Sequence, residues 1–226
     1  SNEVLPYLNS LGINPISEGA KQITKVHIST TKSNLIKGQL PLGGFGMSRY
    51  FLDDLLVKKA RSNGVKILKD TVDSIHFKKD SFTITTKSSG VFQSKITIGA
   101  FGKRSSLDQK MKRKFIQKKS PYLAVKIHVK GVFPENLVAL HNFKGGYCGV
   151  SKVEDNAINV CYITEYRSFK KHKNITDFQE QVVFKNKHLR KIYKEISPVF
   201  EKPLTISQVS FQTKDPVEDH TIKCAG

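Results

Sequence analysis

Gly43-Gly44-Phe45-Gly46-Met47-Ser48-Arg49-Tyr50-Phe51-Leu52-Asp53-Asp54-Leu55-Leu56 is where the chain changes from extended backbone to helix. Ser48 is a strong N-cap residue, because its hydroxyl can accept from a free backbone N–H of the first turn. Leu52, Leu55, Leu56 and Ala60 recur at helical spacing, so a helix is expected to about Ser62, with Gly64 ending it. Upstream, Ile23 to Thr30 alternates apolar and polar residues and reads as a half-buried strand. Leu35 to Leu40 reads as its antiparallel partner, with Pro41 and the glycines at 43–46 breaking the pattern. Val4 to Leu11 reads as a short helix closed by Gly12, with Pro6 in its first turn.

Downstream, Val65 to Leu68 reads as a short strand. Val72 to Phe77 and Phe82 to Thr86 follow as antiparallel strands, and Val91 to Ile98 returns toward the core. Leu123 to Val129 alternates strictly, and Leu137–Phe143, Tyr147–Val153 and Ile158–Thr164 are further strands, the last two joined by a turn at Glu154-Asp155-Asn156. Thr176 is placed to cap one long helix over about 177–196, with Phe178, Val182, Leu189, Ile192 and Tyr193 on its buried side. Leu204 to Phe211 and a strand beginning at Thr221 to Cys224 complete the pattern. No repeat, low-complexity segment or flexible linker interrupts it.

The 226 residues can bury a substantial core as one large or two small domains, and the composition is that of a globular chain. Ser1-Asn2-Glu3-Val4 opens without the basic region and apolar core of a signal peptide, and no apolar run is long enough to cross a membrane. The formal charge of +19 raises nucleic acid, an anionic membrane or an acidic partner as candidates. The cations are scattered lysines, and only Lys110-Met111-Lys112-Arg113-Lys114 with Lys118-Lys119 is dense. Arginine, the better base and phosphate reader, is scarce, so nucleic acid is not the expected partner. Cys148, Cys161 and Cys224 make no disulfide framework, which fits a reducing cytoplasm, and no His or Cys grouping has zinc spacing, so no metal is expected.

Arg49 would stand in the first turn of its helix, where a cation opposes the macrodipole. A negative ligand there would resolve the conflict, since the free N–H groups also favour anions; a solvated surface arginine is the plain alternative. Asp53 can pair with it at i, i+4. About fifty residues on comes Ile98-Gly99-Ala100-Phe101-Gly102-Lys103-Arg104-Ser105, whose glycines allow a tight turn and close backbone approach to a ligand. A third segment, Phe143-Lys144-Gly145-Gly146-Tyr147-Cys148-Gly149-Val150-Ser151 with Asn159-Val160-Cys161-Tyr162, is either a ligand-facing wall or a glycine-rich hairpin packed in a sheet.

Together these segments resemble the middle of an FAD-dependent oxidoreductase of the aromatic-hydroxylase and geranylgeranyl-reductase type. The resemblance implies an α/β chain, α+β-like in layout: an antiparallel or mixed substrate-domain sheet plus part of an FAD-binding domain. Residues 1–120 would be the partial FAD-binding domain with inserted strands, 121–212 the substrate-binding sheet with one long helix, and 213–226 a return toward the FAD-binding domain. The family's opening Gly-rich dinucleotide loop does not occur, and the sequence stops at Lys223-Cys224-Ala225-Gly226, where the family runs on into a Gly-Asp motif. The chain thus reads as an interior piece, expected to hold FAD poorly and to be inactive by itself.

By the same resemblance Arg49 lies beside FAD, the Val72 backbone meets the adenine end, and Gly99 and Gly102 belong to a Gly-Ala-Asp-Gly-x-x-Ser loop. Phe101 stands where that loop has Asp, which removes a carboxylate and puts a ribose contact in doubt; Lys103 and Arg104 are candidates to pair with phosphate instead. Gly146, Tyr147 and Cys148 become the substrate-side candidates. The Trp of the related stretch is absent, which argues against a tryptophan-type halogenase. No catalytic acid or base is evident. The implied function is flavin-dependent oxidoreduction of a small hydrophobic or lipid-like substrate, by reducing an isoprenoid double bond or hydroxylating an aromatic ring, with NAD(P)H as candidate reductant. The expected location is cytoplasmic or peripheral to an anionic membrane. The alternatives are a basic nucleic-acid-binding module and a non-catalytic interaction domain.

Overall fold

The computed structural model describes residues 1–103, 105–117, 120–207, 212–215, 217–218 and 220–223. The expectations for Arg104, Lys118-Lys119, Cys224 and the stretch 208–211 therefore lie outside the described residues. The first half contains α1 (Leu5–Ser10), β1 (Lys21–Ser29), β2 (Leu35–Gly46), α2 (Arg49–Ser62), β3 (Val72–Lys78), β4 (Ser81–Thr86), β5 (Val91–Ser94), β6 (Ile98–Gly99) and α3 (Ser106–Lys110). Next come β7 (Tyr122–Gly131), β8 (Leu137–Phe143), β9 (Gly146–Lys152), β10 (Ile158–Glu165), α4 (Tyr166–Phe169), α5 (Ile175–Gln181) and α6 (Lys187–Lys194). The short strands β11 (Ile196–Pro198), β12 (Leu204–Ser207), β13 (Val217–Glu218) and β14 (Thr221–Lys223) complete the order.

Two compact units result: residues 1–65 with 121–207, and residues 66–120 with 208–226. The expected first segment, 1–120, is thus divided at residue 65 between the two. In the larger unit one mixed sheet runs β11-β7-β10-β9-β8-β1-β2, with β12 also pairing β7. The β1–β8 contact is parallel; the other ladders of this sheet are antiparallel. Strict alternation along β8 and β10 sends every second residue to one face, where Phe178, Val183 and Leu189 from the helical segment cover it. Tyr162, Phe143 and Phe178 form the aromatic centre, with ring centroids 6.0–6.2 Å apart. Burying each such side chain contributes roughly 1.5–3 kcal/mol. Along β7 to β10 the opposite face carries no buried residue: Val138, Leu140 and Ile163 are half-buried there and Tyr147 is exposed.

The smaller unit holds the meander β3-β4-β5 and a second three-stranded sheet in the order β13-β14-β6. In the latter, β6 and β14 are parallel, Gly99 lying opposite Lys223.

Three expectations need correction. Strand β2 does not stop at Leu40 but continues through Pro41 to Gly46. It is an edge strand, so the N–H that proline lacks is not required by a second neighbour. Residues 65–68 form no strand; Val65 and Leu68 are 53% and 47% exposed. The single helix over 177–196 is instead α5, a 3-10 turn at Val183–Lys185 and α6, broken because Asn186 turns its side chain into a cap for the next helix.

Candidate functional site

Arg49 opens α2 as expected, and the Ser48 hydroxyl caps the helix by accepting from the Phe51 N–H at 3.1 Å. The guanidinium is 80% exposed and pairs with Asp53 at 3.2 Å. No acidic residue stands in the first turn of this helix. Its apolar side is half-buried and none of its residues is fully covered. Arg49 belongs to the larger unit, whereas Val72, Gly99 and Gly102 belong to the smaller one.

Val72 begins β3, half-buried and opposite Thr86. Gly99 is buried in β6. Gly102 has φ +65°, a left-handed conformation that favours glycine, and a Cβ placed on it would meet nothing within 4 Å. That side of the loop is open to close approach by a ligand. The opposite side is held tightly. Lys214 Nζ donates to the Gly102 carbonyl at 2.8 Å and to Asp108 Oδ2 at 3.1 Å, and lies 4.1 Å from the centre of the Phe101 ring. Arg113 Nη1 donates to Asp108 Oδ1 at 3.1 Å. Lys103, a candidate for phosphate, instead donates to the Gln212 carbonyl at 3.1 Å. Arg113, the one arginine of the dense basic run, is 2% exposed and serves the interior rather than an anionic polymer.

The third segment divides by strand parity. Gly146, Cys148 and Val150 point to the helix-covered face; Tyr147, Gly149 and Ser151 point to the open one. Cys148 is fully buried, and burial pushes its thiol pKa far up. It is a core residue and not a substrate-side group, which corrects the sequence reading. Gly146 is also structural: a Cβ there would overlap the Ile163 carbonyl oxygen and come within 2.7 Å of the Phe143 ring. Tyr147 lies on the open face, 47% exposed.

With Gly149, Tyr147 lines a cavity of about 240 Å³ whose other walls are Val138, Val150, Ser151, Asn159, Cys161 and Ile163. This is below the roughly 300–1,000 Å³ of complete small-molecule sites, so it accommodates a ring or a chain end rather than a whole ligand. The cross-strand pairs Cys161–Gly149 and Asn159–Ser151 bring β10 into the wall. Parity counted from Tyr147, together with the antiparallel register, is the signal that selects Cys161 over Cys148. The Cys161 thiol is also raised by burial, opposed by neighbouring Lys126, so neither cysteine is set up as a thiolate. Both are free.

Asn159 lies opposite His128 in the ladder. The Asn159 Oδ1 and His128 Nε2 atoms are buried and make no hydrogen bond. Burial first, then Lys126, lowers the His128 pKa, while Glu154 opposes this. This neutral pair is the polar feature that the sequence reading missed. No group of three or more potential metal ligands occurs among the described residues. A further cavity of about 450 Å³ in the smaller unit is lined by Asp73, His76, Phe77, Lys110 and His220, and includes none of the flavin-motif residues.

Flavin-dependent enzymes of known structure share this fold. The chain superimposes over 96% of its length on flavin-dependent brominase Bmp2, with a TM-score of 0.76 and 15% identity, and covers 58% of that chain. It matches a flavoprotein/dehydrogenase from Cytophaga hutchinsonii with a TM-score of 0.75 and 15% identity, over 96% of this chain and 57% of that one. The halogenase PltM, solved with phloroglucinol and FAD, matches with a TM-score of 0.71 and 13% identity, over 92% of this chain and 48% of that one. The chain therefore spans about half to three-fifths of the length of these structures. At such identities the likeness defines the fold. No protein-family model and no curated protein sequence matches the chain.

Proposed function

We propose that this chain is the central part of an FAD-dependent oxidoreductase acting on a small hydrophobic substrate. The observation that carries the reading is the open sheet face, on which Tyr147, Gly149 and Cys161 wall a cavity, in a fold shared with flavin-dependent enzymes. The loop from Gly99 to Gly102 in the smaller unit fits close approach of the cofactor. Gly102 offers an unobstructed backbone, and Arg49 offers an exposed cation at a helix N-terminus with no acidic residue in its first turn. Within the smaller unit Gly99 and Gly102 would hold the dinucleotide by backbone approach and the Val72 backbone would meet the adenine end; Arg49, on the larger unit, is proposed as a cation for its negative charge on the resemblance of its helix motif alone. FAD, when bound, supplies the redox chemistry. NAD(P)H is the proposed source of electrons.

The chain's own residues bind and orient the substrate. The Tyr147 ring and the glycine at 149 admit a flat or linear apolar group. Asn159, on the same cavity wall, offers a neutral amide side chain for its polar end. Both thiols stay protonated and take no part in bond making. The substrate is accordingly an aromatic ring to be hydroxylated or an isoprenoid double bond to be reduced. Arg49→Ala in the full-length protein tests the cofactor assignment. The FAD dissociation constant should rise by about 10- to 100-fold, corresponding to the loss of a charge-assisted contact of roughly 1–3 kcal/mol. An unchanged constant removes Arg49 from the cofactor site.

A further inference from the structure

The loop Gly99 to Gly102 is secured from within by an arrangement that the flavin reading does not itself require. Asp108, Arg113 and Lys214 are 0%, 2% and 4% exposed. One carboxylate thus faces two buried cations. Buried charges persist only when paired and hydrogen-bonded, and here both carboxylate oxygens are used. Arg113 Nη2 also reaches the Asp215 carbonyl at 3.2 Å, so both cations link 212–215 to the segment around Asp108. Lys214 spans three features at once: the Asp108 carboxylate, the Gly102 carbonyl and the face of Phe101, a ring whose quadrupole attracts a cation. Phe101 occupies the position where the resembled loop has its carboxylate.

We propose that Lys214 is a positioning residue of the cofactor loop. Its ammonium holds the Gly102 carbonyl inward, which turns the open side of Gly102 toward the dinucleotide. With Phe101 it forms a cation–ring support in place of a loop carboxylate. This inference rests on the flavin reading above.

The test uses the full-length protein and FAD titration, with far-UV circular dichroism to confirm folding. Lys214→Met removes the charge and the Gly102 bond, but leaves Asp108 paired with Arg113, so no lone buried charge is created. The FAD dissociation constant should rise at least tenfold. Lys214→Arg, which keeps the cation beside Asp108 and Phe101, should restore it to within about threefold of wild type, a rescue that mere filling of the interior would not give. If Lys214→Met does not fold, Lys214→Gln is read in its place with the same expectation. A folded Met or Gln variant that binds FAD as wild type does, or an Arg variant as weak as the Met one, overturns the role of Lys214 alone. Wild-type protein that takes up no FAD overturns the flavin reading and this inference with it.

Discussion

Two glycines three residues apart on β9 have different work to do. At Gly146 an added side chain meets the Ile163 backbone and the Phe143 ring, neither of which can yield without moving the sheet. Gly146→Val should therefore destabilise the protein by about 1–3 kcal/mol, the usual cost of overpacking. At Gly149 the nearest atoms to a Cβ are Leu140 Cδ2 at 3.6 Å and the Cys161 carbonyl at 3.8 Å, ordinary contacts on the open face. Gly149→Val should keep stability within about 1 kcal/mol and fill the cavity instead. Urea denaturation of both variants checks this, and equal losses would contradict the assignment of faces. A second residue-scale expectation concerns His141, 3% exposed, whose Nδ1 shares a 2.8 Å hydrogen bond with the Ser29 hydroxyl. Burial, then His188 and His27, lowers its pKa from 6.5 to about 4. The His188 ring stacks on it at 5.2 Å, and the Asn186 amide donates to the same Ser29 hydroxyl. The fold favours the neutral ring. Its contribution is complete above pH 6.5 and is lost as the pH falls toward 4, because the unfolded chain takes up the proton first. On the order of 3 kcal/mol is involved. His141→Gln should flatten the decline in urea midpoint between pH 7 and pH 4.5; an unchanged slope would place the acid sensitivity elsewhere.

Where one face of an element is buried and its pattern is local, the sequence is readable. Strands β7 to β10 follow their alternation closely, and α2 starts at Ser48 because a hydroxyl there answers a free N–H. The break between α5 and α6 was not legible, because the apolar spacing of Phe178, Val182 and Leu189 continues across it. What divides the helix is a long-range demand. The Asn186 amide donates to Ser29 Oγ at 2.8 Å, to the Thr30 carbonyl at 3.2 Å and to the Asn142 carbonyl at 2.9 Å, while its Oδ1 accepts from the His188 and Leu189 N–H groups. An asparagine inside an apolar helical pattern was the available signal. Asn186→Ala should cost about 2–4 kcal/mol, since it removes a cap and leaves buried acceptors unpaired. A loss below about 0.5 kcal/mol in urea denaturation would show that the helices break for another reason. The candidate site was legible in the same uneven way. Segment 143–163 stands out in the sequence, but which of its residues face out depends on strand parity, and parity moved the thiol of interest from Cys148 to Cys161.

At the scale of the molecule, composition says least. A charge of +19 suggests anionic partners, yet Arg113 and Lys214 are spent in the interior on Asp108, and Lys21 and Lys152 both lie near Glu135, at 3.4 and 3.7 Å. Among the described residues no helix is long and apolar enough to cross a membrane. The architecture says more: the chain superimposes over 92–96% of its length on structures of which it covers 48–57%, and one face of its sheet has no buried residue along β7 to β10. The central claim is that the protein carrying this chain is a flavoprotein. The direct measurement is the visible absorbance and released flavin of the purified full-length protein after saturation with FAD and removal of the excess. The account predicts flavin bands and one FAD per chain. A colourless protein that retains no flavin and shows no saturable FAD binding would contradict it.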